Sequence, residues 1–303
     1  MNNNFEVPIL FIVFNRPDTT KRVLEAIGKI RPSKLFIAAD GPRKNKIGEK
    51  EKCEEVRNIC KKIDWECEVF TLFQEKNLGC KIGATTAVNW FFQNVSEGII
   101  LEDDCLPNQS FFTFCKEMLE KYRDNEKILH ISGTNLQYGN KREEASYYFS
   151  RYIHMWGWAT WKRAWEKYDI DMKGLEEYYK SKKIYKLFNN KKEAKFWISL
   201  IKYVTEKNID TWDAQWVYTL LKSEGMSITP NVNLVENIGF GENATHTKSE
   251  GILSNISTER LEKIIHPESI TVNEEADKFV FETIFYKSLF KKIIDKIKII
   301  FKL

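Results

Sequence analysis

Four short strand-like runs, each closing in polar or turn residues and each followed by another element, limit the possible folds of this chain more than any other feature. Pro8 to Phe14 and Leu35 to Ala39 are continuously apolar, Glu68 to Phe73 is β-prone, and Gly98 to Leu101 is apolar again. Apolar runs of this length without alternation mark strands buried on both faces. Helical stretches lie between them, from Asp18 or Thr19 (either able to cap) to about Ile30, from about Lys50 to Ile63, and from Lys81 to Asn94. Alternating strands and helices predict an α/β chain with a doubly wound, mostly parallel sheet. Such sheets bind ligands at the carboxyl ends of their strands. Asn15-Arg16, Asp40-Gly41 and Glu102-Asp103-Asp104 all fall there, which predicts one site on one rim.

Beyond Ile128 to Ile131 and a Ser132 to Asn135 turn the character changes. Trp156, Trp158, Trp161 and Trp165 crowd together, helical segments run to about Lys207, and Trp212 to Trp216 opens an apolar helix. Gly239 to Thr247 has loop composition. The 303 residues are 43% apolar and 14% aromatic, which excludes a disordered chain, and a net charge of +4 does not make a nucleic-acid binder. The N-terminus resembles neither a signal peptide nor a membrane anchor, and the six cysteines lack CxxC spacing. Reduced thiols in a cytoplasmic protein are expected. In the last eighteen residues Leu289, Ile293, Ile297 and Ile300 recur at helical spacing against Lys287, Lys291 and Lys298. Such a helix either lies on the anionic inner face of a membrane or packs on the domain.

Glu102-Asp103-Asp104 is the most informative motif. Three adjacent carboxylates at the end of a buried strand repel one another unless a cation compensates. Mn²⁺ or Mg²⁺, shared with a diphosphate, suits such oxygens. Asp40 reads as a turn residue or as an acceptor for a nucleotide base, and Arg16 and Lys81 as nucleotide or phosphate contacts. Asp213 reads as a first-turn carboxylate of a helix or as a general base. His246 is either an exposed loop histidine or a metal or phosphate ligand. The tryptophans are core, or in part a surface on which a sugar stacks.

These residues, in this order, resemble the GT-A glycosyltransferase family that includes N-acetylglucosaminyltransferase I, and more closely its bacterial surface-polysaccharide relatives. The resemblance rests on Pro8 to Arg16, Ala39-Asp40-Gly41, Ile99 to Asp104, Met155 to Trp158, Trp212-Asp213 and the Gly239 to His246 loop. It implies a Rossmann-like GT-A domain over residues 1–250, with a nucleotide-sugar half at 1–135, an acceptor and catalytic half at 136–250, and a helical extension at 251–303. It implies a UDP-sugar donor held by Arg16, Asp40, Lys81, Glu102, Asp103, Trp158 and Gly241, and a metal on Asp104 and His246. Asp213 would then be the base of an inverting transfer to a glycan or lipid-linked oligosaccharide, and Gly239 to His246 a lid. Lys81 stands where the family has a histidine, and Trp212-Asp213-Ala214 where it has paired acids. Competing expectations are a retaining transferase, a sugar nucleotidyltransferase, and a non-catalytic glycan-binding or membrane scaffold. Asn15-Arg16-Pro17-Asp18 occupies the place of a nucleotidyltransferase's glycine-rich phosphate loop and argues against the second.

Overall fold

The computed structural model describes residues 5–188, 190–240 and 256–286. Its first part alternates as the sequence predicts: β1 (Ile9–Val13), α1 (Pro17–Gly28), β2 (Lys34–Ala39), α2 (Glu49–Cys60), β3 (Glu68–Phe73), α3 (Gly79–Asn94) and β4 (Glu97–Glu102). Next come β5 (Cys105–Pro107), α4 (Gln109–Lys121), β6 (Ile128–Ser132), β7 (Tyr147–Ser150) and β8 (Trp158–Trp161). The helices α5 (Lys162–Trp165), α6 (Leu175–Lys180), α7 (Ile184–Leu187), α8 (Lys191–Glu206) and α9 (Asp213–Lys222) follow. The described chain closes with β9 (Met226–Pro230), β10 (Val235–Asn237) and α10 (Glu274–Val280), which runs on as a π-helical turn over Phe281–Tyr286.

Eight strands form one sheet in the order β3-β2-β1-β4-β8-β6-β9-β7, and β10 pairs with β5 apart from it. Strands β1, β2, β3 and β4 are mutually parallel, β6 and β9 share their direction, and β8 and β7 run against them. The α/β, Rossmann-like, mostly parallel class expected from the sequence is therefore the one observed.

Side chains alternate across the sheet. Ile9, Phe11, Val13, Ile99 and Leu101 face α1, α2 and α4, while Leu10, Phe36 and Ile100 face α3, α9 and the tryptophans. Helix α1 starts at Pro17, whose missing N–H costs nothing in a first turn. Neither Asp18 nor Thr19 caps it as expected, because Arg16 already occupies the cap position, without a side-chain cap bond.

The tryptophan-rich segment contributes a strand, β8, inserted between β4 and β6, so its described residues join the same sheet as the first four strands. Within the extension, residues 256–286 belong to the body. Val272 bridges to Phe149, Asn273 N–H donates to Phe149 O at 2.8 Å, and Phe285 packs on Tyr152 and Trp197. Gly241, His246 and the basic segment 287–303 lie outside the described residues. No helix among the described residues is long and apolar enough to cross a membrane.

Candidate functional site

Strand alternation splits the acidic triplet between the two faces of the sheet. Glu102, the last residue of β4, continues the Ile100 face toward α3 and α9, and Asp103 continues the Leu101 face. Electrostatics follow this division. Glu102 acts on the Cys80 thiol of α3, and Asp103 on the Cys60 thiol of α2, although burial is the larger cause of both thiols' rise to about 12. Asp103 accepts the Phe14 N–H at 3.1 Å, which fixes it to the end of β1.

The Arg16 guanidinium closes the cluster from the β1–α1 turn. Its Nη1 lies 2.6 Å from Asp104 Oδ2 and 3.4 Å from Asp103 Oδ1. One cation does not balance three carboxylates. Burial, the largest cause, and mutual repulsion push the Glu102 and Asp103 carboxyls well above the ordinary range; Asp213 adds to Glu102, and Arg16 opposes the shift on both. Burial and repulsion thus make Glu102 and Asp103 hold their protons to higher pH than isolated carboxyls would.

Asp213 is the first residue of α9 and is exposed. Its Oδ1 takes the Thr211 hydroxyl and the Ala214 N–H, while Oδ2 takes no hydrogen bond among the described residues. One oxygen thus orients the carboxylate and the other is open to a proton. A layer of aromatic rings supports this end of α9. Trp158 stacks on Trp212 at 5.4 Å and on His130 at 5.3 Å, and Trp216 Nε1–H donates to His130 Nδ1 at 3.1 Å. The remaining His130 nitrogen, Nε2, then donates to His154 O at 3.1 Å. Burial lowers the His130 pKa to about 3, which keeps the ring neutral.

The β5–β10 ribbon carries the chain back across the site. Ile238 N–H donates to Asp104 O at 2.8 Å, and Phe240 meets Trp156 edge-on at 5.7 Å. A Cβ on Gly239 would stand 2.3 Å from Asp104 Oδ2, so only glycine fits this approach. The segment expected to be a lid therefore starts at the acidic cluster.

Other expected contacts are placed differently. Asp40 Oδ1 and Oδ2 receive the Gly41, Leu78 and Gly79 N–H groups and the Asn77 amide. Four donors fill a carboxylate's four lone-pair directions, leaving none for a nucleotide base. Asp40 instead clasps the β3–α3 turn to the end of β2. Lys81 lies on the first turn of α3 and lines a cavity shared with residues of α8 and α9. Trp158 is wholly buried, so neither face of its ring is open to a donor sugar. The sequence reading missed Asp210, whose carboxylate accepts the Cys80 and Lys81 N–H groups at 2.9 and 2.8 Å and caps α3 from a distant loop. Its spacing from α3 left no local signal.

No protein-family model matches this chain, and no curated protein matches it. Solved structures similar to it include HddC from Yersinia pseudotuberculosis, at 10% identity over 52% of this chain and 77% of that one, with a TM-score of 0.33. TarS from S. aureus is similar at 8% identity over 75% of this chain, with a TM-score of 0.39, and this chain spans 58% of it. The 4-diphosphocytidyl-2C-methyl-D-erythritol synthase from Anaerococcus prevotii matches at 8% identity over 59% of this chain and 78% of its own, with a TM-score of 0.32. These likenesses concern fold, and the functional reading rests on the chain's own residues.

Proposed function

We propose that this protein is a metal-dependent glycosyltransferase that moves a sugar from a UDP-sugar to a hydroxyl of a glycan or lipid-linked acceptor, with inversion. The observation carrying this reading is the pairing of Arg16 with Asp103 and Asp104 at the carboxyl ends of β1 and β4, with Glu102 adjoining in sequence and Asp213 of α9 near enough to act on the Glu102 carboxyl. A doubly wound sheet places its ligands at that edge.

A divalent cation fits the donor set, which is hard carboxylate oxygen. Among the described residues no three side chains converge as a metal cage. Asp104 would then be the cation's side-chain ligand there, with diphosphate oxygens and water completing the shell. When bound, the cation neutralises charge on the leaving diphosphate. Arg16 also faces that charge, while Asp103 and Glu102 line the nucleotide and sugar side.

Asp213 Oδ2 takes the acceptor hydroxyl's proton as the acceptor oxygen forms its bond to the anomeric carbon. The bond from that carbon to the diphosphate oxygen breaks, and UDP leaves with the electron pair. Thr211 and Ala214 hold Asp213 in place by its other oxygen, so positioning precedes the proton transfer. Removing a general base lowers turnover by about 10²–10⁴-fold. Asp213→Asn keeps the size and the Oδ1 contacts and is expected to lose activity in that range with UDP affinity unchanged. A variant with near-normal transfer removes Asp213 from the reaction.

A further inference from the structure

We infer that a small primary amine binds in the cavity between α8, α10 and Arg151, with its ammonium group on Glu193. This site is separate from the acidic edge and does not depend on the proposed transfer. The cavity measures about 340 Å³, within the range of small-ligand pockets. Carboxyls of Glu193, Glu274, Glu275 and Asp277 line it with two cations, Arg151 and Lys278, and Phe188 and Val272 give it apolar wall. It lies far from Arg16 and the acidic triplet. Ser150, just before Arg151, pairs with Ser227 near the start of β9, which is the amino edge of the sheet. In the strand order β7 stands four places from β4, roughly 19 Å at the usual strand spacing.

Glu193 is the decisive residue. It is 6% exposed, and its Oε2 accepts the Tyr152 hydroxyl at 2.6 Å. Its Oε1 takes no hydrogen bond among the described residues, yet it is not one of the unpaired polar atoms sealed in the interior. The little surface Glu193 keeps therefore includes this oxygen, and the cavity it lines is where a donor can reach it. Asp277 differs, because the Ser150 hydroxyl and the Arg151 N–H occupy its two oxygens. First-turn carboxylates complement a helix dipole by position alone, which accounts for the exposed Glu274 and Glu275. It does not account for Glu193, since a carboxylate gains that benefit at the surface and burial costs it hydration. Burial is also the main cause that pushes the Glu193 carboxyl above its ordinary range; Glu282 and Glu274 add to the shift, and the Tyr152 hydroxyl and Lys278 oppose it. A cationic donor counters burial and repulsion together, so an ammonium gains more here than a hydroxyl of similar size. A metal ion is the poorer fit, because no three metal-ligating side chains converge among the described residues.

Ligand-observed NMR titration of the full-length protein tests this, with cyclohexylamine against cyclohexanol and glucosamine against glucose. Each pair keeps its ring and exchanges an ammonium for a hydroxyl. Glu193→Gln keeps the side chain's shape and an acceptor for Tyr152 while removing the charge, and Glu275→Gln alters an exposed residue of the rim. At least one amine is expected to bind wild type about tenfold or more tightly than its alcohol. That preference is expected to vanish in Glu193→Gln and to shrink about two- to threefold in Glu275→Gln. Failure of both amines to bind wild type, equal binding of amine and alcohol, or a preference that survives in Glu193→Gln overturns the assignment. Should Glu193→Gln fail to fold, a preference unchanged in Glu275→Gln overturns it instead.

Discussion

Arg16 is the residue on which the acidic cluster most depends. Its side chain is 19% exposed and those of Asp103 and Asp104 are 10% and 17% exposed, so the pairs are largely withdrawn from water. Removing one partner of a fully buried pair costs about 3–5 kcal/mol, and this exposure brings the figure for Arg16→Ala to roughly 2–3 kcal/mol. Chemical denaturation reads it directly, and a loss below about 0.5 kcal/mol means the carboxylates have other compensation. The triplet was legible in the sequence because an apolar strand ran straight into it, and strand alternation alone assigns its members to opposite faces. Asp40 was legible only as a turn residue. Its four donors include the Asn77 to Gly79 turn, whose approach is set by the β2–β3 pairing and not by local sequence. Trp158 carries no mark of its burial, since the same indole can stack on a sugar or fill a core. Glu193 gave no signal either, because an unpaired carboxylate oxygen is a property of packing.

The helix α3 presents its N-terminus to the site, and two carboxylates from elsewhere hold it. Asp40 ties the preceding turn and Asp210 caps the first N–H groups. Asp210→Ala removes a charged cap and is expected to cost about 1 kcal/mol, whereas Asp40→Ala leaves several donors unpaired and costs about 1–3 kcal/mol. Equal small losses would mean that water replaces the Asp40 clasp. The first four strands were readable because their runs are strongly apolar and bounded by turns. Strands β7, β8 and β9 were not: Tyr147-Tyr148-Phe149 and Trp158-Ala159-Thr160-Trp161 are buried without the aliphatic continuity that marks a central strand. Their aromatic rings face the core on both sides of the sheet, as Trp161 on one and Trp158 on the other show.

In the molecule as a whole, residues 256–286 close the far edge of the sheet. Asp277 of α10 accepts the Ser150 hydroxyl and, at 2.9 Å, the Arg151 N–H, and burial is the main cause raising its pKa to about 7. A carboxyl raised in the folded state binds its proton more tightly there than in the unfolded chain. Its contribution is complete below about pH 4 and is lost as pH rises through about 7. Asp277→Asn removes this dependence, so the stability of wild type relative to the variant falls by about 1.4 kcal/mol per pH unit across that window. Parallel denaturation curves at pH 4, 5.5 and 7 measure it, and a constant difference contradicts an Asp277 that titrates near 7. The sequence set residues 251–303 apart as a helical extension, but only tertiary contact shows that residues 256–286 pack on the core.

The central claim is a nucleotide and a divalent cation sharing the edge formed by Arg16 and the acidic triplet. Calorimetric titration of UDP, in Mn²⁺ and in EDTA, on wild type and Asp104→Ala tests it most directly. Wild type is expected to bind UDP at least about tenfold more tightly with Mn²⁺, and Asp104→Ala to lose that gain. No UDP binding in either medium, or an affinity indifferent to both Mn²⁺ and Asp104, would contradict it.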